Sequence, residues 1–466
     1  SNNIAMGSCT LCANTTGDAN VGLGAQSLRA NTTGDSNTAV GHRSLCSNTT
    51  GERQVAIGQG ALQSNTTGTR NVAIGSSALD KNTTASYNTA IGLESLFNTT
   101  TGSGNTAIGS TTMICNTTGA DNVAIGGSAL RLNTASNNTA VGTSALRNNT
   151  SGAQNVAIGT LSLYSNSTGT YNQAMGHYAL FGNTTGDSNI AIGGQALQYA
   201  SSGSCNVMIG KSAGFCNKGG TNNTGIGLQA LYNNTADNNV AIGSAAMVQN
   251  TTGQDNVSVG VDSSKYNTTG ILNTAVGKAS QFGSYQATTA SYNVSLGACT
   301  LYAVTTGIQN VAVGTLSMKS NTTGGSNVAV GYQSLFSNTG GGNNIAIGPN
   351  ALYSNTGTYN NLAIGVSALC SNAQQNNISI GNYSSLCSVT GTQNVVVGMS
   401  AFREGTSSNN VVIGASAMSS TATGGNNVAV GYETLCSLTS GAFNTALGMI
   451  SLKYNTTGQQ NVAVGY

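Results

Sequence analysis

Residues 65–79 read NTTGTRNVAIGSSAL, and this stretch decides the fold. Asn71-Val72-Ala73-Ile74 is a short β-favouring run, Gly75 closes it, Leu79 follows, and Asn82-Thr83-Thr84 opens the next copy. Marking the Gly that ends each VAIG-like tetrapeptide gives 28 positions, from Gly7 to Gly465. Of the 27 spacings, 22 are 17 residues, four are 16, and one, Gly277 to Gly297, is 20. The pattern fills residues 1–466, so the chain reads as a single continuous repeat domain.

A period of 17 is too short for helical-hairpin repeats, which need ~33 residues or more. β-branched runs broken by Gly and Asn favour short strands instead. The predicted fold is therefore all-β: a parallel β-solenoid of 28 coils of about 17 residues. Each coil is read as a strand, a Gly turn at positive φ, a second short strand around Ala78-Leu79, and a corner at Asn82-Thr83-Thr84. Parallel stacking at ~4.8 Å per coil predicts a rod of roughly 130 Å. No capping segment is read at either end, so the natural chain is expected to continue, since an open sheet edge invites pairing.

The column preceding the strand is Asn in 27 of 28 coils, with Gln54 the exception. Such constancy predicts a ladder of stacked amides through Asn71, Asn88, Asn105, Asn122, Asn155, Asn310 and Asn327. The middle strand residue is Ala, Gly or Ser in 25 of 28 coils. Strand alternation places Val72 and Ile74 on one side and Ala73 on the other. With Val and Ile inward, Ala73, Ala90, Ala107, Ala124, Ala140, Ala157 and Ala174 form a flat outer face for a partner chain. The opposite phase puts a cramped interior at Ala and leaves Val and Ile outside; small residues satisfy both.

The motif NTTGxxNVAIGxxAL, as in Asn65 to Leu79 and Asn321 to Leu335, resembles the head repeats of YadA-like trimeric adhesins. It is also similar to repeat arrays in viral and phage tail fibres that end in an endosialidase-type chaperone. The resemblance covers the whole chain. It implies a left-handed β-roll, three chains side by side, and an extracellular fibre on a cell or virion surface that attaches or displays. It also implies a homotrimer that can meet a host glycan or receptor. Heads of that type usually have shorter repeats, and no stalk, anchor or chaperone segment is read here.

Composition narrows the chemistry. Only 6% of residues are charged and the net charge is +2, which argues against nucleic-acid binding through basic patches. No apolar run approaches the ~18 residues of a membrane span, so no membrane insertion is expected from this segment. Twelve acids and two His give little material for catalysis, and an enzyme is not expected. His42 and His177 lie eight coils apart, too far to share a metal. Asp18, Asp35, Asp121, Asp187, Asp237 and Asp255 fall in turns, where a lone carboxylate usually bonds local backbone. No metal and no cofactor is expected.

Among ten Cys, Cys370 and Cys387 fall in adjacent coils and are disulfide candidates, with Cys9/Cys12 and Cys205/Cys216 as intracoil options. Sequons recur at Asn14, Asn31, Asn65, Asn183 and Asn321, either as glycan acceptors or as turn chemistry that generates N-T-T incidentally. The column five residues after the Gly varies among Arg, Lys, Tyr and Phe (Arg147, Tyr164, Phe181, Phe336, Tyr353), and is read as core edge cover or a glycan-binding stripe. The leading functional reading is a structural or adhesive fibre. The alternatives are an ice- or surface-binding solenoid using the Thr-Thr columns, a self-assembling sheath or filament subunit, and, least favoured, a polysaccharide-cleaving β-helix.

Overall fold

One strand of three residues per coil carries the sheet. The structure, a computed structural model, describes residues 2–283, 287–371, 374–388 and 390–466. It holds 28 strands and, among the described residues, no helix, and so none long and apolar enough to cross a membrane. Strands β1 (Ile4–Met6) to β14 (Thr224–Ile226) belong to one unit, Ser1–Thr235. Strands β15 (Val240–Ile242) to β28 (Val462–Val464) belong to a second, Ala236–Tyr466. Within each unit the strands pair in parallel with their sequence neighbours, one coil apart. Val72, Ala73 and Ile74 face Thr89, Ala90 and Ile91 in the first unit. Val328, Ala329 and Val330 face Ile345, Ala346 and Ile347 in the second. Each unit is thus a β-solenoid of about 17 residues per turn.

The segment after the Gly is not a second strand, contrary to expectation. Left-handed residues interrupt it: Gly75 has φ +135°, Ser77 +54° and Leu79 +51°, and Tyr87, just before the next strand Asn, has +61°. The backbone still bonds to both neighbouring coils. Ser77 N donates to Gln59 O at 2.8 Å, Leu79 N to Ser95 O at 3.0 Å, and Lys81 N to Phe97 O at 3.0 Å. A left-handed Leu costs about 1–2 kcal/mol. Full burial of the same side chain offsets that with about 1.5–3 kcal/mol. Leu79, Leu96, Leu130 and Leu163 are fully buried.

The strand alternation runs in the phase opposite to the favoured one. Ala73, Ala90, Ala107, Ala124, Ala140, Ala157 and Ala174 are all fully buried within the single chain, so they form no outer face for a partner. The reason is room. The coil closes so tightly that Ala, the following Ala or Ser, one Leu and two Asn fill its interior. Val and Ile therefore stand outside, as at Val156 and Ile158 around Ala157.

Departures from the pattern come with local compensation. Met208 occupies the Ala column, and its side chain fills the space that a Cβ would need at two nearby Gly. A Cβ at Gly214 would lie 2.9 Å from Met208 Cγ, and one at Gly225 2.5 Å from its Sδ. Phe402 replaces the usual Leu and takes the space where the corner Asn would sit, which is Gly405 here. The 16-residue coils lose their residue at the corner. Asn133 Nδ2 donates to Ala135 O, two residues on, at 2.7 Å, whereas Asn116 Nδ2 donates to Gly119 O, three residues on, at 2.9 Å.

The Gly that ends each strand is required for two reasons. Its φ is strongly positive, and a Cβ at Gly159 would meet the carbonyl carbon and oxygen of Gly176 in the next coil at 2.8 Å. Gly348 keeps this geometry, φ +129°, although Pro349 follows it. Gly159→Ala should therefore destabilise its coils by about 1–3 kcal/mol. Tyr171→Gly, at an exposed left-handed position with φ +58°, should be neutral or stabilising by up to about 1 kcal/mol. Hydrogen exchange resolved by coil, rather than a single melting midpoint, is the appropriate measurement for a repeat array.

Candidate functional site

Two buried amide ladders hold the coils in register. The first is the strand column. Asn71 Oδ1 accepts the backbone N–H of Asn88 at 2.9 Å, and Asn88 Oδ1 that of Asn105 at 2.9 Å. Asn122 Nδ2 donates to Asn105 Oδ1 at 3.0 Å. Asn155 N donates to Asn138 Oδ1 at 3.0 Å, and Asn327 Nδ2 to Asn310 Oδ1 at 3.1 Å. Each side chain also reaches the corner: Asn71 Nδ2 donates to Ala85 O at 2.9 Å. Gln54 keeps the same connections, taking the N–H of Asn71 at 3.2 Å and donating to Gly68 O.

The second ladder was not read from the sequence. It runs through the Asn of N-T-T: Asn48 Nδ2 donates to Asn31 Oδ1 at 2.8 Å, Asn65 to Asn48 at 2.9 Å, and Asn183 to Asn166 at 2.9 Å. Asn31, Asn65, Asn183 and Asn321 are fully buried, and their Nδ2 atoms donate to the Gly four positions along the corner motif, Asn321 to Gly324 O at 3.0 Å. Asn14 is half-buried and bonds Gly17 O in the same way at 3.0 Å. A glycan on Nδ2 would cost a donor hydrogen and cannot fit a fully buried amide, so Asn31, Asn65, Asn183 and Asn321 are not accessible to a glycan in the folded protein. The signal that could have revealed the ladder is the predominance of Asn at the corner, in runs of consecutive coils such as Asn31, Asn48, Asn65 and Asn82.

The first threonine of N-T-T is also committed. In N-T-T the first hydroxyl donates to the next coil's carbonyl, Thr32 Oγ1 to Thr49 O at 3.0 Å and Thr66 Oγ1 to Thr83 O at 3.0 Å. The second threonine, as at Thr33 and Thr67, stays exposed. The turn carboxylates likewise serve local backbone. Asp35 Oδ1 accepts Asp18 N at 2.7 Å, and Asp187 Oδ1 accepts Thr170 N at 2.6 Å. Backbone N–H groups of Asn2 and Ala19 hold the Asp18 carboxyl below its usual range. His42 and His177 are exposed, His177 with its ring edge-on to Tyr178. Among the described residues, no three His, Cys, Asp or Glu gather as a metal site.

The variable column forms stacks along the coil axis. Tyr164 lies on Phe181 with centroids 5.2 Å apart, Phe215 on Tyr232 at 4.8 Å, and Phe336 on Tyr353 at 5.1 Å, all within 11° of parallel. A cation precedes two of them, Arg147 over Tyr164 and Lys319 over Phe336. These rings turn their faces to one another, and a sugar would need a free face to stack on. Edge cover for the core is the role this arrangement supports. All ten Cys are free thiols. Cys370 is half-buried, and that burial together with the neighbouring Cys387 thiol pushes its ionisation up. The coils carrying them are joined beside both thiols, Ser371 N donating to Leu386 O at 3.1 Å.

The outer strand face is among the exposed apolar surfaces. In the first unit Ile125, Ile158 and Ile192 are each more than a third exposed; in the second, Val330, Ile347 and Ile413 are. They make one apolar column on each unit, beside a mixed column of Val and Thr. Ordinary soluble surfaces seldom carry contiguous apolar patches beyond a few hundred Å².

The class that this architecture defines is a β-solenoid repeat protein. No protein-family model matches the chain, and a search of curated proteins finds no match.

Interruptions of the corner ladder leave orphaned acceptors. Asn82 Oδ1, Asn183 Oδ1 and Asn267 Oδ1 are buried without a partner, and the next coil offers Thr99, Ala200 and Thr288 where an Asn would stand. A buried unsatisfied acceptor costs about 1–3 kcal/mol. Ala200→Asn should therefore raise stability by about 1 kcal/mol, by satisfying Asn183 and offering a new acceptor to Asn217. Denaturant unfolding and exchange protection at Asn183 and Asn217 would report it; lower stability would show that the corner cannot take the amide.

Proposed function

We propose that this chain is a structural or adhesive extracellular fibre segment, displayed on a cell or virion surface, that associates with further copies of itself. The observation that carries this reading is the exposed Val/Ile strand face, with the amides of both ladders turned inward. Apolar columns repeated coil after coil suit a partner with the same repeat, because each coil then meets an equivalent coil. Three copies is the number the resemblance to trimeric adhesins and tail fibres implies. The mechanism is mechanical: parallel hydrogen bonds and amide ladders, added coil by coil, make a stiff support that positions an attachment site. No catalytic step belongs to this reading.

The interface assignment is now Val/Ile rather than Ala, and the two can be separated. Ile125→Glu, Ile158→Glu and Ile192→Glu together should shift the protein to monomers in sedimentation velocity without loss of β-structure. Gln173 already stands on this face, so a polar side chain there is compatible with the coil. Ala157→Glu should instead disrupt local folding, because it buries an unpaired carboxylate. An oligomer unchanged by the three glutamates would refute the assignment, and a wild-type protein that is monomeric at all accessible concentrations would refute self-association.

A further inference from the structure

The columns two and five residues after the Gly touch one another within a coil. Lys265 Nζ donates to Asp262 Oδ1 at 2.9 Å across these two positions. Tyr178 and Phe181 occupy them in another coil, with ring centroids 5.1 Å apart. The turn is tight enough for a direct bond from the later residue to the earlier, Gln63 N to Gly60 O at 3.2 Å and Lys453 N to Ile450 O at 3.1 Å. In the first coil the two columns carry Cys9 and Cys12, both exposed. Desolvation and then a hydrogen-bonding contact with the Cys9 thiol raise the ionisation of Cys12, while Arg29 from the next coil opposes them.

From this geometry we propose that Cys9 and Cys12 form a surface dithiol that closes reversibly to an intracoil disulfide, with a small-molecule disulfide such as oxidised glutathione as the oxidant. Residues three apart in a turn have Cα atoms within ~7 Å, overlapping the ~4.4–6.8 Å a disulfide spans. One protein thiolate attacks a glutathione sulfur, forming a mixed disulfide and releasing one glutathione. The second protein thiolate attacks the bonded protein sulfur and releases the other. Two cysteine thiols are oxidised and one glutathione disulfide is reduced to two glutathiones. The bridge spans Leu11, which is left-handed at φ +51°, and so fixes the turn that each coil must make. Serine, glutamine and arginine fill the same columns elsewhere, as at Ser77, Gln63 and Arg29, so the thiols are not required for folding.

The test uses the full chain in glutathione redox buffer, followed by alkylation and tryptic mapping. Cys9 and Cys12 are the only cysteines before Arg29, the first Lys or Arg, so one peptide carries both. The expected result is a peptide two hydrogens lighter, closed to alkylation at both positions and reopened by dithiothreitol. Cys9→Ser should leave Cys12 fully alkylatable after reduction and carrying glutathione before it. Independent glutathione adducts on both cysteines of the wild type, persistent alkylation of both, or covalent dimers through either residue would overturn the proposal.

Discussion

Each coil must satisfy its polar groups through the coil before it and the coil after it, with the same atoms at every step. From this constraint the rest of the architecture follows. A three-residue strand cannot enclose an interior by itself, so closure falls to turns whose backbone groups would otherwise be buried and unpaired. The two Asn columns meet that demand. Asn71 joins its strand to the neighbouring corner through Ala85 and to the next strand through Asn88. Once both amides are inside, little volume remains, and the other interior positions shrink to Ala and a single Leu. Apolar bulk is expelled to the outer face, where it becomes available for association.

The tight interior also explains how substitutions travel in groups. Met208 is tolerated with Gly214 and Gly225 beside it, and Phe402 with Gly405. Volume is conserved locally rather than position by position, as expected for an interior packed as densely as a crystal. The aromatic stacks outside the Leu column follow a looser rule. They line up because identical columns recur one coil apart, and neighbouring rings then meet face to face, as Tyr164 and Phe181 do.

The period and the parallel solenoid were legible because hydrophobic and glycine spacing depends only on sequence distance. The strand Asn ladder was legible for a similar reason: invariance at one column implies a contact that repeats. The phase of the strand was not. Val-Ala-Ile alternates equally well with either side inward, and only the volume of the closed coil decides between them. The second strand around Ala78-Leu79 was misread because β-propensity does not register a left-handed Leu; nothing in the Leu side chain announces φ +51° at Leu79. The corner Asn resembled ordinary turn chemistry, and its burial depends on a partner a full coil away.

Because the strand-column amide contact recurs at one joint after another, the number of coils is little constrained by that ladder. Removing residues 71–87, one complete period, would bring Arg70 against Asn88, and Asn88 would meet Gln54 through the contacts Asn71 makes now. The shortened corner at Asn133 keeps the strand ladder, with Asn138 N donating to Asn122 Oδ1 at 2.9 Å, but it leaves the corner amide Asn116 Oδ1 without a partner. The number of coils in such an array can thus change in whole steps while each remaining strand keeps its amide contact to the next.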